Sequence, residues 1–189
     1  RKNFKATDDA NYFIKANKKI KFINGENENE KITYKSDIVK NHNIKYGIGF
    51  DVHKLVPKRK LYLGGLRIKS NLGTLGHSDG DPVLHAIIDS ILGACKMGDI
   101  GEWFSDKNKK FKNIRSTILL KKIINEIKKK SYFINNIDIN IITQTPNISK
   151  YKNKIVKTIS NICELSPNKI NIKGKTTEKL GLIGKEKAI

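Results

Sequence analysis

The chain has 189 residues, of which 38% are hydrophobic and 30% are charged. This composition supports one folded domain with an appendage and excludes a chain that is disordered throughout. Apolar runs fall well short of the roughly 18 residues that a membrane-spanning helix needs. The two cysteines, Cys95 and Cys163, lie far apart in apolar stretches. They indicate reduced core residues and exclude a disulfide-stapled secreted domain or a cysteine-based zinc site.

The formal net charge of +20 raises the question of nucleic-acid binding. The basic residues are 34 Lys and only 4 Arg, whereas specific readout of bases favours the planar guanidinium of Arg. The chain also contains 30 Ile and 20 Asn. We interpret the charge first as a compositional bias spread over the surface, second as a general attraction for phosphorylated ligands, and last as nucleic-acid binding. We therefore expect neither a nucleic acid nor a membrane as partner.

Residues 1–45 differ in pattern from the rest of the chain. They mix Lys and Asn with Glu, show no sustained periodicity, and contain the low-complexity run 24–30. We interpret 1–45 as a flexible extension, either the remnant of a targeting sequence or an insertion peculiar to the species. The folded domain is predicted to cover 46–189.

Hydrophobic periodicity predicts regular elements in that domain. Residues 46–53 alternate apolar and polar side chains, which predicts a strand with one face of each kind. Two apolar triplets within 61–68 flank a pair of glycines and predict a hairpin. Asp81 is a typical cap for a helix that begins at Pro82 and stops before Gly98.

The second half of the chain continues the alternation of elements. Apolar stripes at helical spacing predict helices over 116–130 and 151–163. Alternating isoleucines predict strands over 137–141 and from 170 onward. Strands that alternate with helices of this length predict a two-layer α/β domain. One more strand is expected after Ile189.

Three residues have the spacing of a catalytic zinc site. Asp51 and His53 project from the same face of the first strand, and His85 lies on the polar face of the first helix. Two imidazoles and a carboxylate, with a fourth position open, are typical of catalytic zinc. We expect the carboxylates of Asp81 and Asp89, one turn away on either side, to hold the imidazole of His85 in one tautomer. The alternative is that all three are ordinary polar residues on separate elements.

Three further segments carry weaker signals. The loop 73–81 leads into a helix N-terminus, which favours an anion, although its two aspartates would repel a bare phosphate. The tight turn 98–101 contains an acid that could bind a diol. Segment 176–181 combines hydroxyls, a carboxylate and an amine, which suits either a second, hard cation or a helix-capping box.

Several motifs of the chain occur in an order that is typical of one protein family. The motifs are Phe50-Asp51-Val52-His53, Gly64-Gly65, His77-Ser78-Asp79-Gly80-Asp81, His85, Gly98-Asp99-Ile100-Gly101, Gln144-x-Pro146 and Thr176-Thr177-Glu178-Lys179-Leu180-Gly181. Over 46–189 the chain resembles the 2-C-methyl-D-erythritol 2,4-cyclodiphosphate synthase family of the non-mevalonate isoprenoid pathway. The resemblance implies a two-layer sandwich in which a mixed sheet packs on helices. It also implies a homotrimer with active sites between subunits.

The resemblance implies two metal sites and two catalytic residues. Asp51, His53 and His85 would bind Zn²⁺, and Glu178 with the substrate phosphates would bind Mg²⁺ or Mn²⁺. His77 and Thr176 match positions that stabilise the transition state. The positions that would contact the cytidine diphosphate substrate are Asp51, Val52, His53, His77, Ser78, Asp99, Ile100, Gly101, Phe104, Ser105, Asp106, Lys107, Asn108, Thr143, Gln144, Thr145, Pro146, Asn147, Ile148, Ser149, Lys175, Thr176, Thr177, Glu178, Leu182 and Lys185.

The implied reaction is an internal phosphoryl transfer that forms a cyclic diphosphate and releases CMP, with metals and positioning in place of a protein nucleophile. A non-catalytic zinc- or cytidine-nucleotide-binding module on the same fold is the alternative. Four residues depart from the usual family pattern: Lys175, Asn147, Asn108 and Lys185. The extension and the Lys/Asn bias predict a nuclear-encoded enzyme imported into a plastid, with the bacterial cytoplasm as the other location.

Overall fold

The computed structural model describes residues 9–21, 33 and 44–189. The chain divides into two compact units, residues 1–43 and 44–189. In the described part of the first unit, Asp9–Lys15 form helix α1. The low-complexity run 24–30 lies outside the described residues. No helix in the described ranges is long and apolar enough to cross a bilayer.

The second unit alternates strands and helices, which confirms the predicted α/β class. Its strands are β1 (Leu55–Pro57), β2 (Leu61–Leu63), β3 (Leu66–Ile68), β4 (Leu72–Thr74), β5 (Ile137–Ile142) and β6 (Ile170–Lys175). Its helices are α2 (Pro82–Ala94), α3 (Ile100–Trp103), α4 (Ser116–Lys129), α5 (Lys152–Cys163) and α6 (Gly181–Gly184). The predicted hairpin, the three long helices and the last two strands are thus present, with boundaries within a few residues.

The strands of the second unit form three two-stranded ladders, where the resemblance predicted one mixed sheet. β1 pairs with β4 and β2 with β3, both antiparallel, while β5 and β6 are parallel. The C-terminal residues also pair with the chain ahead of β1, because His53 and Ile189 exchange two backbone hydrogen bonds of 3.0 Å. This exchange, with the bridge from Lys54 to Ala188, gives the start of β1 a second neighbour on the side away from β4.

The strand predicted over 46–53 is not formed, although the segment keeps two distinct faces. The apolar side chains point outward, so that Ile48 is 92% and Phe50 78% exposed. The other face lies directly on α2, where a Cβ at Gly47 or Gly49 would come within 1.8 Å of a helix carbonyl oxygen. Only glycine allows this approach, and the period of two then turns the apolar side chains away from the core.

The core of the second unit lies between the ladders and three amphipathic helices. Leu84, Ile88 and Leu92 on α2 are fully buried, and α2 packs against α4, which packs against α5. Cys163 is also buried, and its burial raises the pKa of the thiol to about 12. Cys95 is a free, half-buried thiol, so both cysteines are reduced as predicted.

A methyl group at Gly49 is expected to destabilise the second unit. The Cβ of Gly49→Ala would meet the carbonyl oxygen of Ala86 at 1.8 Å, which forces segment 46–53 off the helix. The expected loss is about 1–3 kcal/mol of unfolding free energy, as for other overpacked sites. Gly93→Ala is the matched control, because nothing lies within 4 Å of its Cβ and alanine favours helix α2. Urea unfolding should show Gly93→Ala gaining about 0.5–1 kcal/mol; equal stabilities would contradict this packing.

Candidate active site

Asp51, His53 and His85 form a compact group of possible metal ligands, with one ligand atom from each all within 4.8 Å of one another. Oδ2 of Asp51 lies 3.3 Å from Nδ1 of His53 and 3.0 Å from Nδ1 of His85. The two imidazole rings are tilted, with 5.2 Å between their centroids. The side chains of all three residues are 12–21% exposed, so the group is partly shielded from water but accessible. Two nitrogens and one carboxylate oxygen fit a metal of borderline softness.

The charges of the group are coupled. Burial disfavours the ionised form of Asp51, but hydrogen bonds from His53 and His85 outweigh it and hold the pKa of Asp51 well below its usual range. Burial likewise disfavours protonation of His53. The hydrogen bond and the charge of Asp51 outweigh that burial and raise the pKa of His53. A site that holds a carboxylate ionised between two imidazoles is suited to a cation.

Two elements bring the three ligands together. Asp51 and His53 lie on the face of segment 46–53 that also contains Gly47 and Gly49, and this face packs on α2. His85 follows the cap of α2 by one turn, on the side opposite the buried stripe. The structure therefore groups the predicted trio, although the first element is an extended segment and not the predicted strand.

The expectation that Asp81 and Asp89 orient His85 is wrong. Asp89 accepts the backbone N–H of Ile100, and the carboxylate of Asp81 accepts only backbone N–H groups. Nε2 of His85 instead lies 2.9 Å from Oγ of Ser116 and 3.1 Å from Oγ of Ser78. The carboxylate of Asp81 is bound by the hairpin turn and the start of α2, and that of Asp89 by the start of α3, so neither is available to His85.

The acidic loop before α2 points inward. Asp81 is 0% exposed and accepts N–H groups of Gly64 and Gly65 from the hairpin turn, together with those of Val83 and Leu84. Complete burial raises the pKa of Asp81, although the N–H groups of Gly65, Leu84 and Gly64 act in the opposite direction. The carboxylate is thus occupied by the hairpin turn and the start of α2, and it does not face a phosphate.

Asp79 and His77 complete this loop. Asp79 is 8% exposed and pairs with Nε of Arg115 at 2.8 Å, so it also faces inward. Nε2 of His77 is buried and has no hydrogen-bond partner among the described residues. Nη2 of Arg59 donates to the carbonyl oxygens of Gly76 and Ser78 on either side of it. His77 therefore lies in an anchored loop, with one buried ring nitrogen that has no protein hydrogen-bond partner among the described residues.

The loop predicted to contact the substrate after α2 divides into exposed and buried parts. Asp99 caps α3 by accepting the N–H of Glu102 at 2.9 Å, and Asn108 caps the following turn. The side chain of Phe104 is 5% exposed and meets the ring of Phe111 edge-on at 5.3 Å. Phe104 is thus a core residue, which leaves its backbone for any ligand contact. Ser105, Asp106 and Lys107 are at the surface or partly exposed.

The predicted cytidine segment 143–149 follows β5 directly. Thr145-Pro146 is a cis peptide, Asn147 caps a turn by accepting the N–H of Ser149, and the Ile148 side chain is buried. Segment 176–185 follows β6, the parallel neighbour of β5, so the two segments lie at one end of the ladder. Gln144 links them by accepting the N–H of Lys179 at 3.1 Å.

Within 176–185 the expected capping box is not formed, since Leu180 caps α6 without a side-chain hydrogen bond. Oγ1 of Thr176 donates to the carboxylate of Glu178 at 2.5 Å, and Glu178 lies outside the described ligand group around Asp51. Of the other predicted contacts in this region, Lys175, Leu182 and Lys185 are exposed and Thr177 is half-buried. Val52 is also exposed.

Ser116 and Arg115 lie near the site but are not among the residues predicted from the sequence. Both lie at the start of α4. Ser116 contacts His85, which is 31 residues earlier in the chain, and Arg115 pairs with Asp79. The only sequence signal was a serine at the start of a helix, which normally predicts a cap. Here Ser116 is the first helical residue, and its hydroxyl donates to Asp79.

Two curated relatives are similar over most or all of the chain. It is 70% identical over 188 residues to the "Bifunctional enzyme IspD/IspF" of Pelagibacter ubique (strain HTCC1062), covering 100% of this chain and 51% of that protein. It is 51% identical over 146 residues to the "2-C-methyl-D-erythritol 2,4-cyclodiphosphate synthase" of Clostridium acetobutylicum, covering 77% of this chain and 94% of that protein. The chain spans about half the length of the bifunctional relatives it matches.

Solved structures show the same likeness. "Structure of the Bifunctional IspDF from Campylobacter jejuni" is 37% identical with a TM-score of 0.75, covering 99% of this chain and 52% of that chain. "IspF (Plasmodium falciparum) CDP complex" is 44% identical with a TM-score of 0.67, covering 76% of this chain and 88% of that chain.

The prediction of a plastid protein is wrong. The relatives from Pelagibacter, Clostridium and Campylobacter are bacterial, and the first of them matches at 70% identity. That alignment covers the whole chain, including the extension from which import was inferred. Lys/Asn bias and an extension do not by themselves distinguish an imported protein from a bacterial one.

The family assignment rests on the second unit. The family model described as the "YgbB family" matches residues 44–189, the range of the second unit and of all three metal-ligand candidates. The resemblance inferred from the order of the motifs is therefore confirmed, and the chain belongs to the YgbB family.

Proposed function

We propose that the chain converts 4-diphosphocytidyl-2-C-methyl-D-erythritol 2-phosphate to 2-C-methyl-D-erythritol 2,4-cyclodiphosphate and CMP. The observation that carries the proposal is the Asp51, His53 and His85 group in a chain of this family. An oxygen of the 2-phosphate attacks the β-phosphorus, and the bond from that phosphorus to the oxygen of the α-phosphate breaks. CMP leaves with that oxygen, so the reaction needs no protein nucleophile.

Zinc is the metal we propose for the group, because two imidazole nitrogens and one carboxylate oxygen leave a fourth position for a phosphate oxygen. When bound, zinc would supply Lewis-acid polarisation of the β-phosphate. The residues themselves hold the donor atoms within 4.8 Å of one another in a partly shielded site, which reduces the entropy lost when the ion binds.

Two further residues are proposed to act on the phosphates. His77 has a buried Nε2 without a protein partner among the described residues and can donate to a developing negative charge. Thr176 donates its hydroxyl hydrogen to Glu178 in the structure. We propose that Glu178 would hold Mg²⁺ or Mn²⁺, in which case the hydroxyl of Thr176 would donate to the substrate instead. The acids of loop 77–81 do not oppose phosphate binding, because their carboxylates are paired inside the protein.

Segment 143–149 is proposed to bind cytidine. It begins at the end of β5, contains a cis proline and is tied to the Glu178 segment through Gln144. This backbone-rich turn suits recognition of a base by N–H and C=O groups. The relative from Plasmodium falciparum was solved as a CDP complex, which supports a cytidine nucleotide as the ligand.

A homotrimer is proposed to complete the site. The apolar face of segment 46–53 is exposed in the single chain, with Tyr46 at 88% and Ile48 at 92%. A stripe of this kind is typical of a surface covered by another subunit.

Sedimentation of the purified chain is expected to give three times its mass of 21.4 kDa.

A phosphorus NMR time course with the substrate, Zn²⁺ and Mg²⁺ tests the proposed reaction. We expect the signals of CMP and a cyclic diphosphate to appear together, and to be absent when a chelator has removed the metals. Substrate that binds but stays intact would instead indicate the non-catalytic nucleotide-binding module. Failure to bind substrate at all would contradict the assignment of the site.

A further inference from the structure

A chain of polar contacts, largely buried, connects Nε2 of His85 through Ser116 and Asp79 to Arg115. Nε2 of His85 lies 2.9 Å from Oγ of Ser116, and that hydroxyl donates to Oδ1 of Asp79 at 2.5 Å. The other oxygen of Asp79 pairs with Nε of Arg115 at 2.8 Å. Ser116 is 0% and Asp79 8% exposed, so the hydroxyl and the carboxylate are shielded from water. Arg115, whose side chain is 40% exposed, forms an ion pair with Asp79 without the geometry of a hydrogen bond.

The end of this chain of contacts is itself held in place. Nη2 of Arg115 donates to the carbonyl oxygen of Gly65 at 2.8 Å, and its guanidinium lies 4.1 Å above the ring of Tyr62. The backbone N–H of Ser116 also donates to Asp79, at 3.1 Å. The β2–β3 hairpin and the start of α4 therefore fix the carboxylate of Asp79, and through it the direction of the Ser116 hydroxyl.

The number of hydrogens determines the direction of each hydrogen bond. A serine hydroxyl has one hydrogen, and that of Ser116 is donated to a carboxylate that can only accept. Its oxygen is left to accept a hydrogen from Nε2 of His85. Nδ1 faces a second acceptor, Oδ2 of Asp51, at 3.0 Å, so a neutral imidazole donates its one hydrogen either to Asp51 or to Ser116. Donation to Ser116 leaves on Nδ1 the lone pair that a metal requires.

We propose that Ser116 is a positioning residue which, with Asp79 and Arg115, holds His85 in the tautomer that binds the metal through Nδ1. This inference rests on the metal site of the proposed function. Without Ser116, Nδ1 can keep the proton and donate it to Asp51 at 3.0 Å, an arrangement that metal binding must break. Ser78 is the weaker partner of Nε2: its oxygen is farther away at 3.1 Å, and one of its two lone pairs already accepts the N–H of Gly80. The hydrogen of the Ser78 hydroxyl can be donated to Oγ of Ser116, which lies 3.4 Å away.

Zinc affinity of the full chain, measured by competition with a chromophoric chelator, tests the proposal. Ser116→Ala is expected to weaken zinc binding by about 10–100-fold, the usual effect of losing a partner of a metal-bound histidine. Ser160→Ala is the matched control. Ser160 is also a buried helical serine, 8% exposed, but it lies on α5 and its hydroxyl donates to the carbonyl oxygen of Leu165. Its zinc affinity should equal that of the wild type.

A tautomer measurement separates positioning from a general loss of structure. In zinc-loaded wild type, long-range ¹H–¹⁵N spectra should show the His85 ring protonated at Nε2, with assignment from His85→Ala. In Ser116→Ala this N–H should exchange rapidly or disappear, while the spectrum of His53 is retained. Ser116→Thr keeps the hydroxyl and should restore both the signal and most of the affinity.

The outcomes are distinct. Wild-type affinity and an unchanged Nε2–H signal in Ser116→Ala would overturn the role of Ser116 while leaving the metal site in place. Equal losses of affinity in Ser116→Ala and Ser160→Ala would overturn it too, because the effect would then come from the fold. Equal zinc binding by wild type and His85→Ala would overturn the metal site and this inference together.

Discussion

His85→Ala is expected to lose bound zinc and nearly all turnover while the chain remains folded. His85 offers one of the three candidate ligand atoms, and Asp51 and His53 alone would hold zinc poorly. We expect kcat to fall by about a thousandfold or more, since positioning and charge stabilisation supply most of the rate in phosphoryl transfer. The measurement is metal content by elemental analysis together with CMP release.

The fold should tolerate this change because His85 lies on the polar side of α2, with 12% of its side chain exposed and no part in the buried stripe. Ser90→Ala is the control on the same helix, where one hydroxyl loses a hydrogen bond to the carbonyl oxygen of Ile87. It should keep both zinc and activity. Full activity with normal zinc in His85→Ala would exclude His85 from the mechanism.

Asp81→Ala is expected to produce the largest loss of stability of any single change discussed. Its fully buried carboxylate accepts four backbone N–H groups, at 2.9 Å and 2.5 Å from the hairpin glycines and at 3.1 Å from both Val83 and Leu84. Alanine would leave these donors buried and unpaired. We expect a loss of about 3–5 kcal/mol, and a melting temperature lower by roughly 10–15 °C.

Asp99→Ala is the matched control for stability. Asp99 is also the cap of a helix, but it is exposed and accepts a single N–H, from Glu102 at 2.9 Å. Its loss should cost about 1 kcal/mol. Thermal unfolding of the two variants measures the difference, and equal melting temperatures would show that Asp81 does not join the hairpin to α2.

Local signals explain the elements that sequence analysis predicted correctly. Asp81 and Pro82 at the start of α2, and a pair of glycines at positive φ in the hairpin turn, act through neighbours within a few residues. The stripes of α4 and α5 likewise follow from helical period alone. The order of the motifs, which matches a family, correctly predicted that Asp51, His53 and His85 lie together. Their spacing alone was equally compatible with ordinary polar residues on separate elements.

The errors arose where distant parts of the chain meet. Segment 46–53 has the alternation of a half-buried strand, but its glycine face packs on α2, so the apolar residues point outward. Asp81 and Asp89 were expected at His85 because they lie one turn away, yet backbone N–H groups of the hairpin and of α3 occupy them. In both cases a partner from another element outweighs the local pattern.

The sequence by itself determined the α/β class, the approximate helix boundaries, the candidate metal ligands and the family. Only the tertiary structure decided what holds those residues in place: the approach of glycines to a helix backbone, and the contacts from His85 through Ser116 to Asp79. The reason is physical. Caps, turns and periodic stripes are encoded over a few residues, whereas the partner of a buried polar atom is whichever group the packed chain brings within 3 Å.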